Sequence, residues 1–155
     1  MKILRGVLAL GAVCLLQMLF SLHLPAVARR CDLFSIFAVY IALTRPQRPA
    51  LILGSGAGLA QDALADVILG MNGFKKTILA YLVGTLGSLF MLNQTLPRFG
   101  ILFAAAFFDP LTELGLSLAM GQQFVFPGPW DLLQRGFGNG ILGLLAFWIA
   151  ARLPA

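Results

Sequence analysis

Apolar residues run along the chain in six blocks, at about 6–24, 31–45, 50–70, 77–92, 100–120 and 136–151. The breaks are short and cationic or turn-like: Arg29-Arg30, Arg45-Pro46-Gln47-Arg48-Pro49, Lys75-Lys76, Pro97-Arg98 and the segment 121–135. A helix rises about 1.5 Å per residue, so a hydrocarbon layer about 30 Å thick takes about 20 residues, or somewhat fewer where flanking side chains snorkel or the bilayer thins. The pattern therefore predicts an all-α polytopic membrane protein: a compact bundle of six transmembrane helices, forming a single domain over 1–155 with no room for a soluble one. The second span, whose apolar centre is only 33–43, is unusually short.

Composition agrees: 59% of the 155 residues are hydrophobic and 11% charged, against roughly 25% charged in globular chains. Mean hydropathy is +0.90. The net charge of +5 comes from eleven Lys and Arg beside the apolar blocks, where lipid phosphates neutralise them, so lipids and not nucleic acid are the expected partners. Cys14 and Cys31 show neither metal-ligand spacing nor a disulfide framework.

An even number of spans puts both termini on one side. A cytoplasmic N-terminus places Lys2, Arg5, Arg45, Arg48, Arg98 and Arg152 inside, against Arg29, Arg30, Lys75, Lys76 and Arg135 outside; the positive-inside bias favours both ends cytoplasmic. Lys2 and Arg5, an apolar run and then Pro25-Ala26-Val27-Ala28 also resemble a secretory signal. The run exceeds the usual signal core of about 7 to 15 residues and Arg29-Arg30 follow directly, so an uncleaved first helix is expected.

The residues a bilayer should exclude are the informative ones. In the third span Gly54, Gly58, Asp62, Asp66 and Gly70 recur every four residues; in the fifth, Ala105, Asp109, Glu113, Ser117 and Gly121 repeat the design, with Pro110 adding a kink. Each ionised carboxylate near mid-bilayer costs about 2.5 to 3.5 kcal/mol, so four facing lipid would cost on the order of 10 kcal/mol. They must turn inward to Tyr81, Thr85, Ser88 or Asn139, become neutral, or meet a charge from another chain. On these boundaries no Lys or Arg lies inside a span, and Lys75 and Lys76 are the loop cations nearest Asp66.

The stripe of Gly54, Gly58, Asp62, Asp66, Tyr81, Gly84, Asp109 and Glu113 is thus read either as helix-packing glue or as a partner contact. A hard-cation site from Asp62, Asp66, Asp109 and Glu113 is chemically reasonable. The Asp-x-x-x-Asp spacing is like that of carboxylates holding magnesium diphosphates, but lacks the accompanying cationic cluster. No large polar cavity is expected beyond these stripes. His23 sits at a span end as an interface anchor. Gly84, Gly87, Ser88, Gly136, Gly140 and Gly143 permit close helix approach, and Trp130 suits an interface belt. Nothing forms a Walker loop, a serine-histidine-acid set or a Cys/His cluster, so no enzyme, cofactor or metal is expected.

The order Gly54-x-x-x-Gly58-Leu59-x-x-Asp62-x-Leu64, then Leu69-Gly70-x-Asn72-Gly73-Phe74-x-Lys76-Thr77, then Tyr81-Leu82-Val83-Gly84 resembles the MreD family of rod shape-determining membrane proteins. The resemblance implies a non-enzymatic inner-membrane scaffold of the bacterial cell-elongation complex. Its partners would be MreC first, then MreB filaments, the RodA glycosyltransferase and a class B penicillin-binding transpeptidase. It also implies a fold similar to the substrate-binding subunits of energy-coupling-factor transporters, so a small-molecule-binding subunit is the alternative, followed by an intramembrane enzyme on a lipid diphosphate. Asp109 and Glu113 lie outside the motif.

Overall fold

The computed structural model describes residues 2–28, 30–65, 69–89, 94–119, 121, 123 and 125–152. Among them it has seven helices and no strand: α1 (Lys2–His23), α2 (Pro25–Ala28), α3 (Leu33–Thr44), α4 (Gln47–Ala65), α5 (Met71–Leu89), α6 (Thr95–Ala119) and α7 (Pro129–Arg152). Two stretches, Leu4–His23 and Thr95–Ala119, are long and apolar enough by themselves to cross a membrane. In α4, α5 and α7 polar residues interrupt the apolar run, and Asp62, Lys75, Lys76 and Asn139 among them are buried.

The short second block is explained by position. Helix α3 touches α1, α4, α5, α6 and α7, and its 12 residues reach only about 18 Å. It is the axis around which the longer helices pack, and so is apolar on every side, as a helix enclosed by others must be. One of its faces seats Phe34, Phe37 and Ile41 against Ala50, Leu53 and Ala57 of α4. Another seats Ile36, Val39 and Ala42 against Leu79 and Val83 of α5, Leu102 and Ala105 of α6 and Phe147 of α7. Lipid tails are as apolar as these side chains, so in hydrocarbon such contacts hold by close packing more than by exclusion of water.

Glycines set that closeness on α7. A Cβ on Gly136 would stand 2.6 Å from the Phe103 ring, and one on Gly143 2.5 Å from the Leu102 side chain. Gly140 faces the Phe99 ring in the same way, so α6 lays Phe99, Leu102 and Phe103 into a groove along α7.

Several helix starts differ from the sequence reading; α6 begins at Thr95, not near 100, so Pro97-Arg98 lie inside it and not in a break. Helix α5 begins at Met71, not near 77, so Lys75 and Lys76 are interior helical residues and not loop cations. Helix α7 begins at Pro129, not near 136, because proline is preorganised for the first helical position and Asp131 in the first turn favours the helix dipole. The distribution of polarity is inverted relative to a water-soluble protein. Lys76 and Asp62 are 0% and 1% exposed, while Leu8, Leu15, Leu22, Leu111, Ile141 and Trp148 are open on the outside, a surface matched to hydrocarbon.

Candidate functional site

At the centre of the bundle the fully buried Lys76 ammonium donates to Asp32 Oδ2 at 2.5 Å, Ser35 Oγ at 2.5 Å and Asp109 Oδ2 at 2.7 Å. An ammonium has three donors and no acceptor; here each finds one oxygen, supplied by the start of α3 and the middle of α6. The Ser35 hydroxyl lies 2.9 Å from Asp32 Oδ2 and 3.0 Å from Asp109 Oδ2, so its single proton bridges one carboxylate at a time. Asp32 is also the N-cap of α3, its Oδ1 accepting from the Phe34 and Ser35 amides at 3.0 and 3.2 Å. Its own amide donates to the buried Asn139 Oδ1 at 2.9 Å. Three helices are thereby joined through one charge, and α7 is tied to them through the Asp32 amide.

The expectation that no cation lies inside a span is therefore corrected: Lys76 occupies the core because two carboxylates compensate it, which is the condition for burying charge. Beside it, Lys75 pairs with Glu113 at 3.3 Å, Lys75 buried and Glu113 part-exposed. The proposed neighbour of these lysines, Asp66, lies outside the described residues.

Asp62 does a different job. Its carboxylate accepts from the amides of Gly70 at 2.8 Å, Asn72 at 3.1 Å and Gly73 at 3.3 Å, so a side chain of α4 caps the N-terminus of α5, where unpaired N–H groups and the helix dipole favour an anion. Gly70 turns the chain with φ of 102°, a conformation that favours glycine. One turn before Asp62, a Cβ on Gly58 would overlap the Asn72 carbonyl and the Gly73 backbone; on Gly54 it would crowd the Lys76 carbonyl oxygen at 3.3 Å. The motif that runs from Gly54 to Asn72 is thus a clasp that fixes α4 to the first turn of α5. Because this face is filled by the chain's own α5, Gly54, Gly58 and Asp62 offer no open surface to a partner. Asp62→Ala is expected to lower stability by about 2–4 kcal/mol, since three amides lose their acceptor, and Asp62→Asn by less. Thermal unfolding in detergent tests this; an unchanged midpoint for Asp62→Ala would refute the capping role.

Other candidates are placed elsewhere. Tyr81 is 52% exposed, Thr85 bonds to the Tyr81 carbonyl and Ser88 to that of Thr85, so none of them meets the acids. Gly84 has only ordinary contact with the Ala42 carbonyl, at 3.7 Å. Of the fifth-span stripe, Ala105 and Ser117 are buried, Asp109 and Glu113 are partly exposed, and Gly121 lies past α6 with φ of 66°. Asp62 is committed to its cap while Asp109 is committed to Lys76. Among the described residues no three His, Cys, Asp or Glu side chains come together as a metal cage.

A polar cavity of about 250 Å³ adjoins the Lys76 centre at the end where α3, α5 and α7 begin, on the stripe that carries Asp109 and Glu113. Asp109, Glu113 and Lys75 form part of its wall, with Arg30, Arg135, Gln17 and Gln61. Sequence reasoning passed over Asp32, Gln17 and Gln61. Asp32 falls at the edge of the second apolar block, and its place just before an apolar run is an N-cap signature. Gln17 is the one amide within the apolar block 6–24.

No curated protein and no solved structure matched the chain. The family model for rod shape-determining protein MreD matches residues 2–150. That span takes in the Gly58–Asp62 clasp, the Gly70 turn and the Lys76 centre together, and the chain belongs to the MreD family.

Proposed function

We propose that this protein is a non-enzymatic, multi-pass scaffold of the bacterial inner membrane that maintains rod shape by binding MreC and linking MreB filaments to RodA and a class B penicillin-binding transpeptidase. The observation that carries the reading is the family match over almost the whole chain; the family is one of rod shape determination. The arrangement of the acids supports it further. Asp32, Asp62 and Asp109 are spent on internal pairs and caps, which rigidify the bundle and leave its outer faces apolar for lipid or for a partner's transmembrane helix.

Six helices cross the membrane in this reading, α3 being the short one, with both termini cytoplasmic. The orientation rests on the cation count, Lys2, Arg5, Arg45, Arg48, Arg98 and Arg152 inside against Arg29, Arg30, Lys75, Lys76 and Arg135 outside, an excess of one.

The test is crosslinking from native membranes followed by quantitative mass spectrometry, with a photoreactive residue placed in turn at the exposed positions Leu15, Ile52, Leu111 and Trp148. MreC is expected to be captured from one face and not from the others, with the cell-wall synthases recovered alongside. Recovery of neither MreC nor a synthase above the mock control at any position would refute the scaffold reading.

A further inference from the structure

The cavity beside Lys76 carries two kinds of unmet demand. Arg30 and Arg135 at its wall make no ion pair among the described residues, leaving two guanidinium forks open to an anion. Deeper in, three buried acceptors have no hydrogen-bond partner among the described residues: Gln17 Oε1 on α1, Gln61 Oε1 on α4 and Asp109 Oδ1 on α6. Oxygen and nitrogen of a glutamine amide are assigned and not observed, so each of these amides can present an acceptor to the cavity or, turned over, a donor. Asp109 Oδ1 has no such freedom, because a carboxylate bound to an ammonium only accepts. An orphaned buried acceptor costs about 1–3 kcal/mol, so Asp109 Oδ1 is a fixed demand for a donor, and the Gln17 and Gln61 amides on the same cavity wall can turn their oxygens to the same donor. Pro110 adds to it: it has no N–H to offer the carbonyl of Ala106, another wall residue.

We propose that this cavity binds a small zwitterion, its anionic group held by Arg30 and Arg135 and its primary ammonium donating to Asp109 Oδ1 and the amides of Gln17 and Gln61. The volume of about 250 Å³ corresponds to about eight water molecules at roughly 30 Å³ each, which suits a phosphoethanolamine group and excludes a nucleotide. The same chemistry has two sources, a free phosphoethanolamine-like solute or the headgroup of a phosphatidylethanolamine lipid. The inference is independent of MreC binding, since it rests on the cavity alone.

The experiment is native mass spectrometry of the full chain in detergent with phosphatidylethanolamine, phosphatidylcholine or phosphatidylglycerol at equal concentration, with free phosphoethanolamine tested in parallel by thermal shift. Phosphatidylcholine has the same charges but no N–H donor. A one-to-one phosphatidylethanolamine adduct, at least tenfold more abundant than the phosphatidylcholine one, assigns the lipid source; a thermal shift with the free solute instead assigns the soluble source. Arg30→Gln with Arg135→Gln, at exposed positions that leave the fold intact, is expected to reduce binding at least tenfold, and Gln17→Leu with Gln61→Leu to abolish the preference for the primary ammonium. Equal retention of all three lipids with no response to the free solute, or binding unchanged in both double variants, would overturn the proposal.

Discussion

Lys76→Met is expected to destabilise the protein by about 3–5 kcal/mol, the usual cost of removing one partner of a buried ion pair. The side chain is fully buried and its three donors are matched one to one by Asp32, Ser35 and Asp109. Methionine fills similar space but leaves two carboxylates facing each other across a hydroxyl. The loss should appear as a lowered unfolding midpoint in detergent and as reduced abundance in membranes. Lys76→Arg is expected to help little, because a planar fork with five donors does not fit a pocket built around three acceptors. The informative variant is the double one. Lys76→Met with Asp109→Leu removes the cation and one of its two carboxylates, while the other, Asp32, retains its bonds to the Phe34 and Ser35 amides. Recovery of more than half of the lost stability is expected, because a well-packed apolar replacement is often as stable as the pair it replaces. A double variant no better than Lys76→Met would show that the contribution of Lys76 is not electrostatic.

Gly58→Ala has the second large effect, about 3 kcal/mol, at the upper end of the range for overpacking. The added methyl would meet backbone, the Asn72 carbonyl and Gly73 Cα, and not the yielding tip of a side chain. That backbone is pinned from the other side by Asp62, so relief requires opening the clasp. Gly11→Ala and Gly100→Ala are the controls: no atom lies within 4 Å of either added Cβ, and alanine is the better helix former by about 1 kcal/mol. Both should be neutral or slightly stabilising in the same unfolding assay. If Gly58→Ala behaved like them, the close approach of α4 and α5 would not be a determinant of the fold.

The all-α architecture was legible in the chain because its apolar blocks are too long for strands, although only Leu4–His23 and Thr95–Ala119 among the described residues have the length and apolarity of a membrane span; the clasp was legible because Gly54, Gly58 and Asp62 share one helical face whether they meet a partner or a neighbouring helix. What the periodicity lacked was the identity of that neighbour. Local spacing says that Asp62 points inward; it does not say that the acceptor's demand comes from the amides of Gly70, Asn72 and Gly73. The Lys76 centre was hidden for a related reason. Lys75-Lys76 beside an apolar block looks like a headgroup anchor, and only three-dimensional proximity to Asp32 and Asp109, 44 and 33 residues away, turns it into a core residue. Tyr81 misled in the opposite sense: its hydroxyl made it a candidate inward partner for the acids, yet it lies on the outside.

The central position of α3 also bears on the timing of synthesis. A 12-residue helix that begins with Asp32 is too short to hold itself across a bilayer, and the ammonium that neutralises its cap is encoded 44 residues later. At roughly 5–20 residues per second of translation, that delay is about 2–9 s. Throughout it the nascent chain carries an uncompensated carboxylate at the mouth of a helix that has as yet nothing to enclose it. The helix that ends at the heart of the bundle must therefore be held by the insertion machinery, or wait at the membrane surface, until α5 arrives.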